Sequence, residues 1–271
     1  MKPTRMSWAQ YAALDALDHT ILKEFRFSPA HAYQALRHPP DQTEAQKLGS
    51  AVHAAILEPD TFASRYIAGP AIARRSKEDK ERWKAFEAEA GAREILKADY
   101  FEACRRMQAA VWKNREVARL LSAPGMVEVT LTTQYHEKLA LKIRPDAIKS
   151  HDGWTFIPDI KTTSSSATAW DFGSTVARYD YHSRAALYLD VLQAEVPTDQ
   201  ERRYVFIAIE KGEPYASAVF ELDVNAVTVG RARYQGWCQQ AIHAIETDLW
   251  PGYAEEVQIV SMPPWAYRED R

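Results

Sequence analysis

The sequence predicts an α/β chain in which a central mixed β-sheet is flanked by helices and preceded by an N-terminal helical arm. Three observations carry this: the front of the chain holds helix signals, alternating apolar and polar residues begin after Pro124-Gly125, and long helical patterns then interleave with two more strands. With 271 residues, 46% hydrophobic and 26% charged, the chain lies in the globular range and can bury one large core or two modest ones.

In the arm, Asp18 reads as an N-cap before Ile21, Leu22 and Phe25, and Ser28-Pro29 opens a second helix carrying Tyr33 and Leu36. A third helix covers 44–57; Pro39-Pro40 separates it from the second and Pro59 ends it. Residues 73–118 are polar and helical, with Trp83, Phe86, Phe101, Met107 and Val111 as inward positions. Strands follow over 127–134, 139–146 and 154–161, the first two joined by a turn at His136-Glu137 and the third reached through Asp152-Gly153. A helix over 179–194, a strand over 204–210, a turn at 212–214 and a strand over 215–222 come next. Asp223 caps a last helix reaching 248, before an irregular Pro-rich tail. The expected division is an arm of residues 1–123 and a core of residues 124–271, packed as one continuous domain.

Composition sets limits on function. No stretch approaches the roughly 18 apolar residues of a membrane span, and the opening MKPTRMSWAQ lacks the apolar region of a signal peptide, so the cytoplasm is the expected address and no membrane partner is expected. Cys104 and Cys238 sit far apart and read as two buried thiols, not as a disulfide framework or a metal site. A net charge of −3 is not the footprint of a general nucleic-acid binder, so any such site must be local.

Two acids close successive predicted strands: Asp146, in Arg144-Pro145-Asp146, and Asp159, in Asp159-Ile160-Lys161. Strand alternation puts Asp159 and Lys161 on one face and Ile160 on the other. A carboxylate pair of this kind can hold one or two divalent ions beside an ammonium, and hard oxygen ligands favour Mg²⁺ or Mn²⁺ over zinc. The triplet alone is weak, since on the order of one acid-x-Lys arises by chance in such a chain. Glu78-Asp79-Lys80 is a decoy of this form, in a charged helical run that reads as a solvated face.

The wider pattern is more specific. Ser28-Pro29-Ala30-His31, Gly49-Ser50-Ala51-Val52-His53, Leu57-Glu58-Pro59, Arg144-Pro145-Asp146, Asp159-Ile160-Lys161-Thr162-Thr163, Tyr181-His182, the run 185–190, Glu210-Lys211 and Pro214-Tyr215 follow in order. With these the chain resembles the PD-(D/E)xK nuclease superfamily, and within it the phage and prophage exonucleases of the RecE type, also called exonuclease VIII. The resemblance implies a restriction-endonuclease-like fold with Asp146, Asp159 and Lys161 as the catalytic core. Metal would be held by His53, Asp146, Asp159 and the Ile160 backbone carbonyl, with two Mg²⁺ (or Mn²⁺) ions per site and Lys161 acting on the attacking water. Gly49, one turn before His53, would let its helix approach the sheet closely. The family's Gln-x-x-x-Tyr pair is altered: Tyr188 is present, but Arg184 stands at the glutamine position. Arg184 reads either as a substituted phosphate contact or as a sign of weakened catalysis.

The resemblance further implies 5′-to-3′ digestion of linear double-stranded DNA from its ends. The products would be 3′ single strands for recombination, passed to a single-strand annealing protein. A toroidal homo-oligomer in a bacterial cytoplasm, as a phage or prophage protein, completes this expectation. A positive channel in such a ring would reconcile the net charge with DNA binding. The alternatives are a related endonuclease and a non-catalytic DNA-end-binding protein on the same fold. The iron–sulfur branch is disfavoured, since four cluster cysteines are needed and there are two. Glu128 could add a carboxylate near the metals, although an alternating strand more often turns such a residue to solvent. Arg74, Arg75 and Lys77 could clamp a DNA end, although their acidic neighbours favour a solvated helix. One of the eight tryptophans could serve as a stacking platform.

Overall fold

In the computed structural model, which describes residues 3–73 and 75–267, the arm is a series of short capped helices. Strand β1 (Thr4–Arg5) leads to α1 (Trp8–Ala12), a helix the sequence reading does not include, closed by a capping box of Ser7 and Gln10. Helix α2 (His19–Leu22) starts on the Asp18 carboxylate and passes through a 3-10 turn (Lys23–Arg26) to α3 (Pro29–Arg37), which Ser28 caps. Helix α4 (Glu44–Leu57) has the expected bounds. Pro59 does not simply end it but opens α5 (Pro59–Arg65), because a residue without N–H suits a first helical position.

The expected helical run 73–118 is divided. It holds α6 (Lys77–Ala90), β3 (Glu94–Leu96), α7 (Ala98–Val111) and the start of α8 (Arg115–Ser122), and Gly91 at φ +61° stops α6. Strand β3 pairs in parallel with β2 (Tyr66–Ala68). Met107 and Val111 are fully buried, while Trp83, Phe86 and Phe101 are half-buried.

Beyond Pro124 come β4 (Gly125–Val127), β5 (Val129–Tyr135), β6 (Leu139–Ile143), β7 (Ala147–His151) and β8 (Trp154–Thr163). Then follow α9 (Ala169–Arg178), α10 (Tyr181–Glu195), β9 (Arg202–Glu210), β10 (Ser217–Glu221) and α11 (Val224–Thr247), the last capped by Asp223. Helix α9 lies in a stretch to which the sequence reading assigns no element. The main sheet has the order β10-β9-β8-β7-β4, with β8 and β9 parallel and the other pairs antiparallel, and β1-β5-β6 forms a second sheet. The predicted mixed sheet flanked by helices is therefore present.

The expected strand 139–146 is interrupted at Ile143, and the chain resumes as β7. The register of β5 with β6, set by Leu131 opposite Ile143, continues unchanged into that of β4 with β7, set by Val127 opposite Ala147. These are two long strands broken at one level. Pro145 has no N–H to give there, and Glu128 adopts φ +51°.

Period-two alternation on β9 sorts the core into two layers. Tyr204, Phe206 and Ala208 join Leu187, Val191, Tyr234 and Trp237 of α10 and α11 on one face; Ile207 and Ile209 join Val52, Ala55, Met107 and Val111 of the arm on the other. The same rule on β8 turns Ile157 to the α10 side and Ile160 to the arm. Helices α10 and α11 meet where Gly230 leaves room for the first turn of α10. A Cβ at Gly230 would lie 2.2 Å from the His182 carbonyl oxygen, which as backbone cannot move aside. Gly230→Ala is accordingly expected to destabilise the fold by about 3 kcal/mol, read as a lowered urea midpoint. An unchanged midpoint would rule out this close approach.

Candidate active site

Residues 157–161 of β8 run past the last β7 pair, Lys149 opposite Phe156, so the edge of β8 facing the strand break is left open. Alternate residues on that edge point their backbone polar groups at the gap. Pro158 has no donor to lose there. Ile160 has both groups to satisfy, and side chains do so: its N–H donates to Asp146 Oδ2 at 2.7 Å, and its carbonyl lies 2.7 Å from His53 Nε2 and 3.3 Å from Lys161 Nζ. His53 Nδ1 is 3.2 Å from the same Asp146 oxygen, so helix α4, β8 and the β6–β7 break meet at one peptide.

On the other face of β8, Asp159 is 1% exposed. Lys161 Nζ stands 2.5 Å from its Oδ2 and Arg184 Nη2 of α10 stands 3.5 Å from Oδ1. Yet neither oxygen receives a well-directed hydrogen bond among the described residues. Removing a carboxylate from water costs several kcal/mol, so the Lys161 and Arg184 charges beside it are what offset its burial. His53, Glu128 and Asp146 bring donor atoms to within 4.8 Å of one another. Adjacent oxygens around Mg²⁺ are roughly 3 Å apart and opposite ones roughly 4 Å, so the set fits around one ion with little movement.

Burial by itself would raise the Asp146 carboxyl, but His53 and, behind it, Lys161 and Arg184 hold it well below the usual carboxylate range. Burial pushes the His53 imidazole down, yet Asp146 outweighs it and the net direction is up. Burial and the Asp146 charge raise Glu128 against the pull of Arg144, whose Nε donates to Glu128 Oε2 at 2.7 Å. Burial lowers the Lys161 ammonium despite Asp159, and pushes the Tyr188 hydroxyl up to about 12. Several perturbed titratable groups gathered in one cleft are a feature of functional sites.

The site opens on a cleft of about 2800 Å³ between the arm and the sheet. Small-molecule pockets span about 300–1,000 Å³, so this volume suits a polymer. His53, Asp146, Lys161, Arg184 and Tyr188 all line it, with Asp159 beneath Lys161. The residues expected to act together are therefore brought together. Tyr188 does not face open solvent: it is buried, its hydroxyl donates to the Arg144 carbonyl at 3.4 Å, and the Arg184 guanidinium lies 5.0 Å from its ring centre. Trp8 and Trp250 line the cleft, Trp8 being the more exposed.

Three details differ from expectation. Glu128 is drawn into the site, not turned to solvent; counting the hairpin register from a three-residue turn over 136–138 sets it opposite Asp146, a signal the alternation alone does not carry. Gly49 does not bring α4 close to the sheet, since a Cβ there would meet nothing within 4 Å. Tyr181, whose ring centre lies 5.1 Å from Lys161 Nζ, is a neighbour of the site given no role from sequence. Of the basic cluster, Arg74 lies outside the described residues, and Arg75 and Lys77 are exposed on or before α6, as are Glu78 and Lys80. Cys104 and Cys238 are both buried free thiols. Among the described residues no helix is long and apolar enough to cross a membrane.

The family described as a PDDEXK-like domain of unknown function (DUF3799) matches residues 18–263. Among solved structures the chain is similar to a protein from Eubacterium rectale described as a "putative exonuclease", at 14% identity over 96% of each chain with a TM-score of 0.63, a likeness of fold. It also matches the structure of SSO0001 at 17% identity, over 61% of this chain and 78% of that one, where the TM-score of 0.27 is too low to compare folds. No curated protein matches.

The directions of the two shifts bound a pH window in the metal-free protein. His53 is raised above its ordinary 6.5, so its share of stability is complete below that value and fades as pH rises through the folded one. Asp146 is depressed below its ordinary 3.8, so its share is present above that value and fades as pH falls through the folded one. In chelator, His53→Gln is expected to lower the urea midpoint more at about pH 5.5 than at about pH 8.5. Equal losses would mean that the pair is not ionised in the folded protein.

Proposed function

The chain belongs to the PDDEXK-like domain family, and on that premise we propose that it is a divalent-metal-dependent nuclease acting on DNA. The observation that carries the reading is the meeting of His53, Asp146, Lys161 and the buried Asp159 around the Ile160 peptide, at the wall of a polymer-sized cleft. His53, Glu128, Asp146 and the Ile160 carbonyl would hold Mg²⁺ or Mn²⁺, while Asp159 beside them faces Lys161 and Arg184. A bound ion supplies a water of lowered pKa and positive charge for the leaving oxygen. Lys161 adds a fixed charge at the same place, its ammonium kept beside Asp159 and out of bulk water. Arg184 offers a forked donor suited to a phosphate, and Tyr188 holds the Arg144 carbonyl and so the segment carrying Asp146.

Within this reading, the RecE-type sequence pattern supports an exonuclease that digests linear duplex DNA 5′-to-3′, leaving 3′ strands for recombination with an annealing partner. The description of the E. rectale structure agrees with end-dependent action. A homo-oligomeric ring in a bacterial cytoplasm, encoded by a phage or prophage, belongs to the same proposal. One observation favours a second reading. Arg184 lies against Asp159 in place of the family glutamine, as it would in an end-binding protein that no longer cuts.

Purified protein incubated with linear and closed-circular duplex separates these readings. Release of acid-soluble nucleotide from the linear form alone, with magnesium and not with chelator, is the expected result. Cutting of the circle would indicate an endonuclease, and protection of ends without release would indicate a binder. In the same assay Lys161→Ala should lose at least about a hundredfold in rate while its urea midpoint stays near wild type. Wild-type rates in that variant would remove Lys161 from the mechanism.

A further inference from the structure

The charged groups of the site fall into two sets. Three donors, His53, Glu128 and Asp146, lie within 4.8 Å of one another, and the Ile160 carbonyl joins them through its 2.7 Å contact with His53. Asp159 stands outside that set and is faced by cations: Lys161 on Oδ2 and Arg184 on Oδ1. Lys161 belongs to the acid-x-Lys pattern, whereas Arg184 replaces a glutamine. A glutamine is neutral and can offer its oxygen to a metal; a guanidinium carries a permanent charge, five donors and no acceptor. A divalent ion approaching Asp159 from the α10 side would meet a like charge that it cannot displace by taking a proton. The guanidinium is also held in place, half-buried over the Tyr188 ring at 5.0 Å.

We propose that this chain holds one divalent ion per active site, on His53, Glu128, Asp146 and the Ile160 carbonyl, and that the Arg184 guanidinium stands on Asp159 where a second ion would bind. The inference rests on the metal-dependent reading above and replaces the expectation of two ions. A second ion would stabilise charge on the phosphate and its leaving oxygen; a fixed guanidinium can do this through forked hydrogen bonds. Glu128 becomes a ligand through one oxygen while Arg144 keeps the other in place.

Counting bound Mn²⁺ tests this. Mn²⁺ is titrated into the full chain without DNA and the free ion is followed by electron paramagnetic resonance, with circular dichroism to confirm folding of each variant. One ion per chain is expected for wild type and for Arg184→Lys, which keeps the charge, and two for Arg184→Gln. Glu128→Gln should weaken the single site by at least about tenfold. Two ions on wild type would overturn the inference and leave the nuclease reading standing, as would a single ion on folded Arg184→Gln. Unchanged affinity in Glu128→Gln would overturn the assigned ligand set. No Mn²⁺ on wild type would overturn the inference and the metal-dependent reading together. If Arg184→Gln fails to fold, the wild-type count and Arg184→Lys still decide.

Discussion

Proline has no amide hydrogen, so the long strand that carries Asp146 cannot keep a closed ladder through Pro145, and β8 beside it is left with an open edge in the middle of a sheet. A buried peptide cannot remain unpaired without costing about 1–3 kcal/mol for each lost partner. The Ile160 N–H and carbonyl therefore recruit Asp146, His53 and Lys161. The rest of the site follows from that gap. It sets where α4 must present its histidine, and it leaves Glu128, at the same level of the neighbouring strand, facing the break.

The gap also joins arm and core at the site. His53 comes from α4, and its helix packs Val52 and Ala55 against the layer that Ile160 and Ile207 enter from the sheet. On the opposite face Leu22 and Phe25 of the arm enter the core shared by α10 and α11. Asp180, buried and in the left-handed region before α10, holds Arg26 of the 3-10 turn and Arg233 of α11, each at 2.6 Å. This ties the first turn of α10, and with it Arg184 one turn later, to the arm.

Charge in this protein is concentrated by burial more than by number. A chain with a formal charge of −3 gathers Asp146, Asp159, Lys161 and Arg184 beside one peptide. At an effective dielectric near 20, unit charges 4 Å apart interact by about 4 kcal/mol, against about 1 kcal/mol in water. A handful of well-placed groups thus outweighs the overall balance wherever a polyanion would have to be handled.

Much of this was legible in the residues. Caps at Asp18, Ser28 and Asp223, the bounds of α4, and the turns at His136-Glu137 and Asp152-Gly153 depend on side chains within a few positions of the backbone they serve, so local pattern determines them. The order of His53, Arg144-Pro145-Asp146 and Asp159-Ile160-Lys161 likewise pointed to one site. Helix α9 does carry a local signal, Thr168 capping the Asp171 N–H ahead of the buried Phe172 and Val176, which the sequence reading does not use; the strand break at 144–146 was not legible from local pattern, because a single proline acquires meaning only from its neighbours in space. Glu128 and Arg184 are the clearest cases. Sequence alone determines the chemistry each side chain has to offer, a carboxylate or a permanent positive charge; only the register of two long strands and the seating of α10 on the sheet decide that both stand beside the same pair of aspartates, because pairing across a sheet is set by contacts between residues far apart in the chain.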